Sequence, residues 1–227
     1  MCIAILNLSE KVSKSNFKNS LQSNPDGFGL AWVDSKGIQV WKSMSLDVNK
    51  LYRKYETVYD SNHIGGIILH FRISTGGGVN LENTHPFHIN KDLIFCHNGM
   101  IKGYGTKREN DTRHFGREIL AKIPESMLYN NSAIQTLIEE RIGHSKLIFL
   151  NSSGDSKIYG EDLGVWEMDG NWYSNTSYCD YDYWYEEEEE ENKETCDSCY
   201  LPSKHRTYLT EFNSFVCEDC VKWYQLV

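Results

Sequence analysis

The chain has 227 residues, 40% of them hydrophobic and 13% aromatic, with a formal charge of −9. That is enough for one large core and a small appendage. The acidic balance argues against a nucleic-acid partner, which would select a basic surface. No apolar run reaches membrane-spanning length, and the N-terminus lacks a charged region followed by a long apolar stretch. Seven cysteines would suit disulfides in a secreted domain, but four stand in a metal-like pattern, so a reducing, cytoplasmic location is expected.

Chain order begins with Cys2. Loss of Met1 would place a nucleophilic thiol and a free α-amine on one residue. A free thiol has a pKa of roughly 8.5, so it needs a base. An α-amine of pKa about 7.7–8.0 is a suitable one, built into the same residue. Residues 3–8 form an apolar run expected to be a strand that holds the terminus rigidly. Residues 28–33 and 38–42 predict a hairpin closed through Asp34-Ser35-Lys36-Gly37. Helical spacing covers 46–59, with Leu51, Tyr55 and Val58 on one stripe.

Residues 65–73 and 93–97 predict short apolar strands, each ending in polar residues. Between them Thr75-Gly76-Gly77-Gly78 must be a loop. Asp111 is expected as the N-cap or first-turn residue of a helix that runs to about Ile123 and stops at Pro124. A second helix is expected over 132–142, then strands at 146–150 and 157–159, with Ser152–Ser156 as their turn. Strands arriving in blocks with helices between them predict an α+β fold. Cys96, inside an apolar run, reads as an inert buried thiol, and Cys179 has no assigned role.

Several strings follow Cys2 in order: Asn24-Pro25-Asp26-Gly27-Phe28-Gly29-Leu30-Ala31, His70-Phe71-Arg72-Ile73-Ser74-Thr75, Asn83-Thr84-His85-Pro86-Phe87, His97-Asn98-Gly99 and Asp111-Thr112. Together they resemble the class-II glutamine amidotransferases, N-terminal-nucleophile hydrolases that release ammonia from glutamine. The resemblance covers about residues 2–180 and implies a four-layer αββα sandwich of two antiparallel sheets, with the nucleophile at the start of a central strand. It implies Cys2 as the nucleophile, and Asn98 and Gly99 as donors to the oxyanion hole. Arg72 would hold the α-carboxylate of glutamine, with Thr75 beside it, and Asp111 would hold the α-ammonium.

Taken singly, Asn98-Gly99 reads as an ordinary turn, Arg72 as a surface ion pair and Asp111 as a helix cap. His70 and His85 are expected to position loops rather than act as bases. Gly27 and Gly29 are expected to permit close backbone approach. Phe71 and Thr84 depart from the family's usual residues at positions peripheral to the chemistry.

Residues 181–193 contain six consecutive glutamates and read as an acidic linker, or alternatively as an acidic partner-binding segment. Residues 194–227 then form a separate module. Cys196-x-x-Cys199 and Cys217-x-x-Cys220, 17 residues apart, match a four-thiolate site for one structural zinc per chain. Two disulfides or an iron–sulfur cluster are the alternatives, and His205 is a spare ligand. No organic cofactor is expected.

The leading function is glutamine hydrolysis with ammonia supplied to a separate acceptor enzyme, because no phosphate-binding Gly-Lys loop is present. The alternatives are a γ-glutamyl amide hydrolase acting on a larger substrate, and a silent scaffold that recruits partners through the zinc module.

Overall fold

A computed structural model describes residues 2–179, 206–209, 214–218 and 221–222. The chain divides into two compact units, Met1–Cys179 and Asp180–Val227.

The first strand, β1 (Ile3–Asn7), is buried along its whole length. Its side chains alternate between two cores: Ile3 and Ile5 enter one, Ala4 and Leu6 another. A strand covered on both faces reads as an unbroken apolar run, which is why it was legible. Next come α1 (Lys14–Ser23), the hairpin of β2 (Phe28–Asp34) and β3 (Gly37–Ser43), α2 (Val48–Tyr59) and β4 (Ile64–Phe71). Strands β5 (Phe87–Asn90) and β6 (Leu93–Asn98) precede three helices, α3 (Asp111–Glu118), α4 (Glu125–Asn130) and α5 (Ser132–Ile142). Then follow β7 (Lys146–Asn151), β8 (Ser156–Tyr159), β9 (Val165–Trp166) and β10 (Trp172–Tyr173).

Two antiparallel sheets result. One has the order β3-β2-β4-β1-β10-β9 and the other β5-β6-β7-β8. Helices α1 and α2 cover the first sheet through Phe17, Leu21, Leu51 and Tyr55. Phe115, Leu128, Ile138 and Ile142 of α3, α4 and α5 cover the second. Between the sheets lie Ala4, Leu6, Ala31 and Ile68 against Ile94, Cys96, Ile148 and Leu150. The unit is thus an α+β sandwich layered helix, sheet, sheet, helix. Cys96 is fully buried, and burial pushes its thiol pKa up.

The helix expected from Asp111 to about Ile123 is shorter, because a separate 3₁₀ turn over Leu120–Lys122 follows α3. Its cap is Asn110, whose side chain accepts the Arg113 N–H, so Asp111 is a first-turn residue. The segment 171–175 fixes both ends of β1. At the far end Asn171 Oδ1 accepts from Asn7 Nδ2, Leu8 N and Ser9 N at 2.7, 2.9 and 3.1 Å. At the near end Asn175 Nδ2 donates to Cys2 O at 2.7 Å.

In the second unit β11 (Arg206–Leu209) and β12 (Ser214–Cys217) form an antiparallel pair. Cys217 closes β12 and is partly buried. Cys196, Cys199, Cys220, His205 and the acidic stretch 181–193 lie outside the described residues. Among the described residues no group of three or more His, Cys, Asp or Glu is arranged to hold a metal. Nor is any helix among them long and apolar enough to cross a membrane.

Candidate active site

Cys2 stands immediately before β1, whose neighbours are β4 and β10. Its Sγ donates to Ile73 O and accepts from Ile73 N, both at 3.3 Å. Burial raises the thiol pKa, while the Ile73 N–H and the Arg72 guanidinium work against that rise. With Met1 attached, the nitrogen of Cys2 is an amide and offers no base.

Arg72 follows β4 and is only 2% exposed, so it is not the surface ion pair its residue type alone suggests. One end, Nη2, donates to Ser74 Oγ at 3.1 Å and Gly76 O at 3.0 Å. The other, Nη1, is buried without a partner. Burial lowers the guanidinium pKa, and the fields of Cys2, Asp26 and Asp111 raise it. A guanidinium nevertheless stays charged in any protein environment. A buried charged donor left open in this way is a place for an anion, since an unmet donor costs about 1–3 kcal/mol.

Asn98 is the last residue of β6 and 1% exposed, so Asn98-Gly99 is not a hairpin turn. Its amide lies 2.7 Å from Ser174 Oγ. Gly99 has φ +142°, and a Cβ there would meet Ser145 Oγ at 2.2 Å. Only glycine lets the chain leave β6 along this path. Asp111 Oδ2 accepts from Ile101 N at 2.6 Å, and Oδ1 accepts from Thr112 N at 2.8 Å. Thr75 and Asp111 line one cavity of about 380 Å³, together with Gly76, Gly77, Met100 and Tyr104. Cys2, Arg72, Asn98 and Gly99 do not line that cavity. Two of them reach its lining: Arg72 Nη2 donates to Gly76 O, and the chain leaving Gly99 is held where Ile101 N donates to Asp111 Oδ2.

Three histidines, His70, His85 and His97, are buried beside these residues, with ring centroids 4.1 Å apart for His70 and His85. His70 Nε2 meets His97 O at 3.0 Å, and His97 N donates to His85 Nδ1 at 3.4 Å. Burial lowers the pKa of His70 to about 3 and of His97 to about 4, and lowers that of His85 as well. All three are neutral near pH 7, which suits positioning rather than proton transfer. Gly29 allows the close approach expected of it, because a Cβ there would lie 1.7 Å from His85 O.

Sequence reasoning passed over Asn110 and Ser174, and quoted Asn83 within a string without giving it a role. Asn83 Oδ1 accepts from Asn110 N at 2.9 Å, and its Nδ2 donates to Gly77 O and Arg108 O, so it ties the glycine loop to the 100–110 loop. Asn110 Nδ2 donates to Asn83 O at 2.9 Å. Asn directly before a helix start was the available signal for Asn110. Nothing local marks Ser174.

The first unit is thus a sandwich of two antiparallel sheets between helices, with Cys2 directly before a central strand. Residues 9–127 match the family model of the class-II glutamine amidotransferases, and the chain belongs to that family. Glutamine–fructose-6-phosphate aminotransferase of Buchnera aphidicola is 39% identical over 83 residues, covering 37% of this chain and 13% of that enzyme. A relative from Haemophilus influenzae, carrying a glutamine amidotransferase name, is 31% identical over 80 residues, 34% of this chain and 27% of its own length. The chain therefore matches only about a quarter or less of either relative. Among solved structures, glutamine phosphoribosylpyrophosphate amidotransferase from B. subtilis superposes with a TM-score of 0.50 at 15% identity, over 76% of this chain and 41% of that one. That likeness is one of fold.

Proposed function

We propose that the first unit hydrolyses the side-chain amide of glutamine through a thioester on Cys2 and supplies the ammonia to a separate acceptor enzyme. The observation that carries this reading is the buried Nη1 of Arg72, an unpartnered charged donor beside Cys2. It suits the α-carboxylate of an amino acid, while Asp111 suits the α-ammonium. Removal of Met1 frees the Cys2 amine, which takes the thiol proton as Sγ attacks the amide carbon. The C–N bond then breaks and the amine passes that proton to the departing ammonia. Asn98 and the Gly99 N–H stabilise the oxyanion. Water, activated by the same amine, cleaves the thioester to glutamate.

The deciding assay incubates purified protein with glutamine and with larger γ-glutamyl amides and measures ammonia and glutamate. Glutamate from free glutamine supports the reading, and turnover confined to larger amides would replace it. Arg72→Ala should raise KM for glutamine roughly ten- to a hundredfold, the worth of a charge-assisted hydrogen bond. Its kcat should change little, since the α-carboxylate does not react. A variant with unchanged KM would remove Arg72 from the substrate grip.

For the second unit, we propose one structural zinc held by Cys196, Cys199, Cys217 and Cys220. A four-thiolate set is the usual chemistry of such a site, and the metal would supply folding energy to a segment too short for much of a core. Metal analysis should find one zinc per chain, lost in Cys196→Ser/Cys199→Ser. A full chain free of zinc after gentle purification would overturn this assignment.

A further inference from the structure

Ser174 lies one residue beyond β10, past the residues matched by the family model, and is fully buried. It joins the head of β1 to the end of β6. Ala4 N–H donates to Ser174 Oγ at 2.8 Å, and Ser174 N–H donates back to Ala4 O at 2.9 Å. Its other neighbour is the Asn98 amide, with Nδ2 placed 2.7 Å from Oγ and Oδ1 buried without a partner.

That arrangement wastes two groups. The hydroxyl oxygen receives two donors, its own proton is left over, and the amide oxygen has nothing to accept. A buried group left unmatched costs about 1–3 kcal/mol. The two ends of a side-chain amide are nearly equal in size. A half-turn of Asn98 therefore brings Oδ1 to the Ser174 hydroxyl without moving the backbone. Oδ1 then accepts the leftover proton, and Nδ2 takes the place of the orphaned oxygen with both its hydrogens free.

We propose that Ser174 is a positioning residue that sets the direction of the Asn98 amide. The relay runs from Ala4 N–H to Ser174 Oγ, and from Ser174 O–H to Asn98 Oδ1. It leaves Asn98 Nδ2 committed to donating at the reacting carbonyl. The adjacent Asn175 holds Cys2 O, so two consecutive residues position the nucleophile and the donor facing the charge it creates. This proposal rests on the oxyanion role given to Asn98 above.

The test is steady-state glutamine hydrolysis by the full chain. Ser174→Ala should lower kcat by up to roughly 10²-fold, the scale of a misplaced catalytic group, and leave KM within about twofold. In an Asn98→Ala background, Ser174→Ala should cost nothing further, because its effect passes through the Asn98 amide. Ser174→Thr keeps the hydroxyl and should recover most of the kcat lost in Ser174→Ala.

Should Ser174→Ala fail to fold, Ser174→Cys replaces it with the same expectation, since a thiol is a weak donor. Wild-type kcat in a Ser174 variant lacking the hydroxyl overturns the proposal. So does an equal loss in the Asn98→Ala background, which would mark a merely structural role. If Asn98→Ala itself leaves kcat unchanged, the oxyanion reading falls and this proposal falls with it.

Discussion

Cys2→Ala should lower glutamine turnover by about 10⁴-fold or more, the scale on which loss of a nucleophile acts in acyl transfer. In the proposed mechanism, the substitution removes the attacking atom and the leaving group from which water would release glutamate. It should leave the fold intact, since the thiol hydrogen-bonds to Ile73 O and N and the adjoining strand is held by β4 and β10. A chain that retains Met1 should be equally inert, because its Cys2 nitrogen is an amide. Ammonia release and intact mass, measured on the same samples, test both statements. Activity in folded Cys2→Ala, or in protein whose mass includes Met1, would remove Cys2 from the reaction.

Asn98→Ala carries the second largest effect, a fall in kcat of about 10²–10³-fold with KM little changed. Charge on the carbonyl oxygen grows only as Sγ bonds to carbon, so a donor aimed there strengthens in the transition state. A change confined to KM would instead make Asn98 a contact to the resting substrate. Lys146 lies opposite Asn98 across β6 and β7 and is also buried. On the oxyanion reading, any residual rate in this variant reflects Gly99 and the rest of the site.

Much of the sandwich was legible because its strands are covered on both faces. The runs at Ile3–Asn7, Leu93–Asn98 and Lys146–Asn151 are short, apolar and bounded by polar residues, as such strands must be. Helix α5 stands where it was expected, over Ser132–Ile142, and the structure adds its cap, Asn131, whose side chain accepts from Ile134 N. Helix α1 was missed: only Phe17, Ser20 and Leu21 are buried in it, and the rest of Lys14–Ser23 is polar. Strands β9 and β10 have two residues each, too few for any period to show.

The site divides in the same way. Cys2, Arg72, Thr75, Asn98, Gly99 and Asp111 stand in recognisable strings, so their candidacy could be read along the chain. Ser174 stands in no such string. Its partner Ala4 lies 170 residues away, and only the register of β1 with β10 makes them neighbours. A residue that acts through such pairing leaves no mark on the sequence around it.

The place of β1 also fixes the order in which the molecule can be finished. Ile5 and Leu6 pair with Tyr173 and Trp172, so the beginning of the unit is joined to its end. On the ribosome the head of the chain emerges first and waits. It can meet β4 once residues 64–71 have been made, but one long edge stays open until residue 173 is out. Closing so long a loop is slow, because its entropic cost precedes any contact that repays it. Docking of 171–175 therefore closes the open side of β1 and brings Asn175 to Cys2 O, contacts that need nearly the whole first unit to have been synthesised.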